Sequence, residues 1–224
     1  MNKVLNQYQI AFENYLYSEN CARDLKAVVE KIKSYCGNGR LFFIGNGGSS
    51  CISAHLSEDF DKMAKIPSLC MANVGLITCL ANDEGYENIF KIWLDSHFTR
   101  DDLLIAISSS GKSPNIIRAA KSIGSHSVIT ITGFENNNQL SKRGCINVHI
   151  PYHRYGLVES ISEAFLHCVL DTLIEERKER EEEKNINYGP GDKNGEWLHD
   201  QLENLAHFET ESRKNIKNDK RQII

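Results

Sequence analysis

A chain of 224 residues that is 41% hydrophobic and 25% charged has the apolar content to bury one sizeable core, and one principal globular domain is expected. Its 26 Lys and Arg against 30 Asp and Glu leave a formal charge of -4, with basic residues scattered rather than gathered in a stripe. Electrostatics therefore give no case for nucleic acid, none is expected as a partner, and any bound anion must be held locally.

In chain order, residues 1–36 carry apolar side chains at helical intervals (Val4, Leu5, Tyr8, Ala11, Phe12, Tyr15, then Leu25, Val28, Val29, Ile32). This predicts two helices, or one broken near Ser18 to Asn20. Gly37-Asn38-Gly39 turns the chain into Arg40 to Ile44, a short apolar run of the kind expected for a fully buried parallel strand, which ends at Gly45-Asn46-Gly47-Gly48. Ser49 to Ala64 reads as a helix, Ser68 to Ala72 after Pro67 as a second strand, and Leu76 to Ala81 and Ile89 to Phe98 as helices. Leu103 to Ile107 is the next buried strand, Ser108 to Ser113 its polar loop and Asn115 to Ser122 the following helix; Val128 to Ile131 and Ile146 to Ile150 continue the series. Leu157 to Arg177 is amphipathic and runs into the mixed-charge stretch Glu175 to Lys184, expected to be a solvated helical extension. Asn185 to Gly195, with its Gly-Pro-Gly, reads as a linker, Trp197 to Phe208 as a short amphipathic helix, and the Lys-rich end as disordered.

Helices alternating with short apolar runs predict a doubly wound α/β parallel sheet flanked by helices. The expected organisation is N-terminal helices over residues 1–36, an α/β domain over 37–176 and a charged C-terminal extension over 177–224. No apolar run approaches the about 18 to 20 residues that span a bilayer, and the N-terminus lacks the basic-then-apolar order of a signal peptide, so a cytoplasmic protein without membrane contact is expected. The seven cysteines (Cys21, Cys36, Cys51, Cys70, Cys79, Cys145, Cys168) form no C-x-x-C pair, and most lie in apolar runs, as small buried hydrophobes in a reducing compartment do.

Two loops follow strands and precede helices, where a doubly wound sheet binds ligands. The first, Gly45-Asn46-Gly47-Gly48-Ser49-Ser50, lets backbone N–H groups approach an anion at the positive end of a helix. It lacks the Gly-Lys-Ser/Thr of a nucleotide P-loop and the G-x-G-x-x-G of dinucleotide folds, so no nucleotide cofactor is expected; alone it could be a tight turn. The second, Ser108-Ser109-Ser110-Gly111-Lys112-Ser113-Pro114-Asn115, converges four hydroxyls on one helix start where a single serine would suffice as a cap. Hydroxyl and amide donors can surround a phosphate dianion without a large positive field.

With these two loops about sixty residues apart, His55 on the intervening helix, Ala81-Asn82-Asp83-Glu84-Gly85-Tyr86, Ile131-Thr132-Gly133 and a late helix bearing His167, the first 175 or so residues resemble the SIS family of phosphosugar proteins, and within it the phosphoheptose isomerases. The resemblance implies that Asn46, Gly47, Gly48, Ser49, Asn82 and Asp83 line the sugar and that Ser108, Ser109, Ser110 and Ser113 bind its phosphate. Asn82-Asp83-Glu84-Gly85 is also good turn chemistry. It further implies a homotetramer with sites shared between subunits.

Aldose–ketose isomerisation needs a base beside the carbonyl, an acid for the oxygen and a means of stabilising the enediolate. Members of the family are expected to take these from a His-x-x-x-Glu pair and a Gln-x7-His pair. At the matching positions this chain has His55 with Asp59, and Glu159 with His167, so two of the four residues depart from the pattern. Spacings of four and eight still place each pair on one helical face. Asp59 as base and His167 as acid is the expected assignment, with Glu159 also contacting substrate. The set His55, Asp59, Glu159 and His167 suits either one zinc ion per subunit or metal-free acid–base work. Three functions stay open: a sedoheptulose 7-phosphate isomerase, an isomerase of another phosphosugar, and a non-catalytic SIS protein of the kind that binds a replication initiator.

Overall fold

Apolar runs without polar interruption cannot face water on either side, so each becomes a strand covered on both faces. The computed structural model describes residues 2–35 and 39–186. Helices α1 (Lys3–Leu16) and α2 (Glu19–Tyr35) are separate, broken at Tyr17 and Ser18. Then follow β1 (Leu41–Ile44), α3 (Gly48–Lys62), β2 (Ser68–Cys70), α4 (Val74–Asp83), α5 (Ile89–His97), β3 (Leu103–Ser108), α6 (Pro114–Ile123), β4 (Val128–Gly133), β5 (Ile146–Ile150) and α7 (Tyr155–Ile186). The final helix starts two residues before the expected Leu157 and continues past Arg177 through the mixed-charge run. The expected helix over Trp197 to Phe208 and the Lys-rich end lie outside the described residues, as do Cys36, most of the expected linker and part of the Gly37-Asn38-Gly39 turn.

The chain divides into two compact units, residues 1–175 and 176–224. The first holds the sheet, whose order β2-β1-β3-β4-β5 is parallel throughout. From β1 the chain goes outward to β2, then returns to β3 on the other side, so the winding reverses between β1 and β3. The period of two along each strand sorts its side chains between two cores. Leu41, Phe43, Leu103, Ile105, Ile107, Ile129 and Ile131 pack with apolar residues of α1, α2, α3 and α7. Phe42, Ile44, Leu104, Ala106 and Val128 pack with those of α5 and α6. Among the described residues no helix is long and apolar enough to cross a membrane.

The start of β1 is fastened to the start of β3 by one buried carboxylate. Asp102, 1% exposed, accepts from the Arg40 backbone N–H at 2.8 Å and from its guanidinium at 2.8 and 3.1 Å, and from the Thr99 N–H at 2.7 Å and hydroxyl at 3.0 Å. Burial alone would raise its pKa, but these hydrogen bonds from Arg40 and Thr99 overcome it and hold the carboxyl below its usual range. A carboxyl depressed in the folded state stabilises the protein above its unfolded pKa and loses that contribution as pH falls through the folded value. Asp102→Ala should therefore cost about 3 kcal/mol at neutral pH. In denaturant titrations the gap from wild type should narrow on acidification below about pH 4, the unfolded carboxyl value. A gap independent of pH would refute the ionic account.

Candidate active site

At a topological reversal the two loops leaving the adjacent strands are drawn to opposite sides, and a crevice opens at the carboxyl ends of the strands. Here those strands are β1 and β3, paired from Leu41↔Leu103 to Ile44↔Ala106, so the glycine loop and the serine loop meet across one crevice. The pocket between them, about 280 Å³, is lined by Asn46, Gly47, Gly48 and Ser49 of the first loop, by Ser108, Ser109, Ser110 and Ser113 of the second, and by Glu159, with Ile107 and Tyr155 completing the wall. Nine of the residues expected at a phosphosugar site thus share one cavity.

The serine loop is braced from below. Gly111 sits at φ +61°, where an added Cβ would meet the Asn138 side chain at 2.0 Å, and its carbonyl accepts from the Leu140 N–H at 3.0 Å. The Gly133 N–H donates to the Ser109 carbonyl at 2.9 Å, tying the loop to the end of β4. Ser113 occupies the N-cap position of α6, yet its hydroxyl does not cap the helix; it lies 3.1 Å from the Ser108 hydroxyl. A serine at a helix start whose oxygen is turned toward other hydroxyls is arranged for a ligand rather than for the helix.

The two loops are also cross-linked. Asn46 and Asn115 exchange amide hydrogen bonds, each 2.9 Å long, and the Tyr86 hydroxyl donates to Asn46 Oδ1 at 2.9 Å. Asn115 is 1% exposed and, with Tyr86, was not assigned a site role from the sequence. Its signal was its place one residue into α6, opposite an asparagine of the other loop. Tyr155 had no such signal: it stands at the start of α7 before the amphipathic pattern sets in, its ring 4.9 Å from that of Phe134.

The residues expected to do acid–base work form a second group. His55 and Asp59 on α3 are one turn apart, with His55 Nε2 at 3.4 Å from Asp59 Oδ2, and His167 on α7 meets His55 edge-on with ring centroids 5.3 Å apart. One ligand atom from each of the three lies within 4.8 Å of the others. Two imidazoles and a carboxylate at that spacing can converge on one divalent cation and leave a coordination position open. Glu159 is outside this trio. It lies over Gly48, where a Cβ would come within 2.5 Å of its carboxylate, two turns of α7 from His167. Asn82 and Asp83 do not line the pocket. They end α4 in the open, where the Asn82 amide donates to Asp83 Oδ1 at 2.8 Å and the Cys79 thiol contacts Asp83 Oδ2 at 3.5 Å.

A SIS-domain family model matches residues 15–133. A phosphoheptose isomerase of Buchnera aphidicola is 30% identical over 175 residues, covering 74% of this chain and 90% of that protein. Among solved structures, a phosphoheptose isomerase from Neisseria gonorrhoeae superposes with a TM-score of 0.68 at 20% identity, covering 76% of this chain and 95% of that one. One from Francisella tularensis gives 0.62 at 24% identity, with 75% and 92% covered. At these identities the two structures speak to the fold.

The close approach of Glu159 to Gly48 supplies a test of the pocket. Gly48→Ala should leave thermal stability within about 1 kcal/mol of wild type, because what stands in the way is the end of a flexible side chain. It should weaken sugar-phosphate binding by about tenfold, as Glu159 is pushed from its place. Calorimetric titration of wild type, Gly48→Ala, Glu159→Ala and the double variant checks this; additive losses would show that Glu159 does not transmit the effect.

Proposed function

The chain belongs to the SIS-domain family, among the phosphoheptose isomerases, and on that premise we propose that it interconverts sedoheptulose 7-phosphate and an aldoheptose 7-phosphate. The observation that supports the reading is that the serine-lined pocket and the cluster of His55, Asp59 and His167 are both bordered by α3 and α7. On α3, Gly48 borders the pocket and His55 belongs to the trio. Seven residues of helix separate them by about 10 Å. That span suits a sugar phosphate opened to its linear form, with the phosphate among the serines and the carbonyl end at the trio.

In this reading the hydroxyls of Ser108, Ser109, Ser110 and Ser113 and the N–H groups at the start of α6 hold the phosphate dianion. Asn46, Gly47, Gly48 and Ser49 hold the sugar from the other loop, and Glu159 accepts from its hydroxyls. Asp59 removes a proton from C1 of the ketose while His167 protonates O2, giving the enediol. His167 then takes the O1 proton as Asp59 returns its proton to C2, and the aldose is formed with both groups restored. Asp59 is one methylene shorter than the glutamate expected at this position, so the substrate carbon has to sit correspondingly closer to α3. The donor set of His55, Asp59 and His167 also fits zinc; an ion held by all three would occupy the lone pairs of Asp59 and His167 and would supply Lewis-acid polarisation of the substrate oxygens in place of these metal-free proton transfers.

Asn82 and Asp83 enter the reading through assembly. No residue of α4 is buried, although its sequence runs Val-Gly-Leu-Ile-Thr-Cys-Leu-Ala-Asn-Asp. A homotetramer that covers this apolar face with another copy would also fix the two polar residues at its end, in keeping with sites shared between subunits.

Incubating the purified protein with sedoheptulose 7-phosphate and following the anomeric protons by NMR should show aldose formation. His167→Gln and Asp59→Asn should each reduce kcat by about a hundredfold or more while binding persists. Absence of turnover in the wild-type protein, with phosphosugar binding intact, would reject the isomerase.

A separate measurement addresses the metal. Zinc should raise the melting temperature of the wild-type protein, since a ligand that binds only the folded state stabilises it. Neither His55→Ala nor His167→Gln should show the rise; an equal rise in all three would place the ion elsewhere.

A further inference from the structure

A second cavity lies at the other end of the sheet, against the edge strand β5, where the break between α1 and α2 and the start of α2 close over the strand. Its volume is about 580 Å³, within the range of small-molecule sites, and it shares no lining residue with the serine pocket. Its walls carry an unusual set of unspent polar groups. The Tyr15 hydroxyl and His149 Nδ1 are buried without a hydrogen-bond partner among the described residues, and Tyr15 is only 3% exposed. Most buried polar atoms are paired, so two at the wall of one cavity require an explanation.

The remaining groups define what would satisfy them. Asp24 is 8% exposed; its Oδ1 accepts from the Arg23 guanidinium at 2.9 and 3.1 Å, while Oδ2 has no partner among the described residues. Asn147 Oδ1 accepts from the hydroxyls of Thr130 at 2.9 Å and Thr132 at 3.0 Å, which leaves its amide N–H groups to donate. Burial drives the Tyr15 phenol far above its ordinary pKa, and burial, with the neighbouring His153, lowers that of His149, so both are neutral at neutral pH. Arg23 is the cation of this wall, and Asp24 neutralises it.

An acceptor-only carboxylate and donor-only amide N–H groups, side by side with a neutral phenol and imidazole, are satisfied together by hydroxyl groups, each of which both donates and accepts. The rings of Tyr15 and Tyr152 give the cavity an apolar surface alongside them. We propose that the cavity between β5 and the α1–α2 turn is a second ligand site, selective for a neutral polyhydroxylated molecule such as an unphosphorylated sugar. It contrasts with the serine pocket, whose hydroxyls and helix start are suited to a phosphate.

Saturation-transfer NMR on the full chain tests this, with free sedoheptulose, methyl α-mannoside and myo-inositol as probes. At least one probe should receive saturation from the wild-type protein and move the His149 ring nitrogen resonances. Tyr15→Phe and Asp24→Asn should weaken that binding about tenfold, because each takes away a buried group that would hydrogen-bond the sugar. Ser110→Ala, in the phosphate pocket, should leave it unchanged. Turnover by Tyr15→Phe should equal wild type, so the second site and the isomerase reading stand or fall separately. No transfer and no His149 shift with any probe would overturn the proposal. So would a signal lost in Ser110→Ala but kept in Tyr15→Phe, which would put the sugar among the serines. A change of subunit number in Asp24→Asn without sugar binding to wild type would instead make the cavity a contact between copies. If Asp24→Asn does not fold, Tyr15→Phe and the wild-type shifts decide.

Discussion

The pairing of β1 with β3 is the constraint on which the rest depends. Two adjacent parallel strands from which the chain departs in opposite senses must leave a crevice at their carboxyl ends, and no side chain is needed to make it. What the side chains do is hold the two strands in register from the far end, through Asp102 and Arg40, and furnish the crevice at the near end with glycines and serines. An anion in that crevice would be met by N–H and hydroxyl dipoles, which need no basic surface on a chain of net charge -4.

Helices α3 and α7 link that crevice to the residues proposed for acid–base work. Both border the pocket, through Gly48 and Glu159, and both reach the acid–base trio, through His55 and Asp59 on one and His167 on the other. Because a helix is stiff, the separation along α3 between Gly48 at the pocket and His55 and Asp59 of the trio is set by residue count. An aspartate at position 59, where a glutamate is expected, keeps its carboxylate closer to its own helix without changing its face. The glutamate at 159 stands where an uncharged amide is expected, over Gly48 and outside the trio.

Most of the fold was legible because the strands are continuous apolar runs and the loops are short. The two-face packing of β1, β3 and β4 follows from the same residues that marked them as buried. The grouping of the pocket's residues was legible for a related reason: most lie in contiguous stretches, 46–49 and 107–113, so sequence proximity and spatial proximity coincide. What sequence spacing could not give was the relation between separate helices. Glu159 and His167 share a face of α7, but which of them meets His55 depends on how α7 packs against α3, and here it is His167. Asn115 and Tyr155 were missed because their roles are tertiary: one is defined by its exchange of hydrogen bonds with Asn46, the other by its place at the mouth of the pocket. The cavity beside β5 is assembled from residues as distant as Tyr15 and His149, and has no contiguous signature at all.

One element resists explanation within a single chain, and its placement is informative. Val74 is 71% exposed and Tyr86, just beyond α4, is 52% exposed, in a segment whose composition belongs in a core. Leaving such surface in water forgoes about 25 cal/mol for every Å² that could be buried. The same helix ends in Asn82 and Asp83, which spend their hydrogen bonds on each other and on Cys79. Yet Tyr86, three residues further on, already donates to Asn46 inside the phosphosugar crevice. The segment thus has one end tied to the site, Ile77, Leu80 and Ala81 packed on its own core, and an outer apolar face at Val74 and Leu76 left in the open. Under the proposed assembly, covering that face would restrain the helix and its polar end together. Subunit association would then be coupled to how the sugar is read, whereas the phosphate anchor, built wholly from β1, β3 and the helices that follow them, would need no partner.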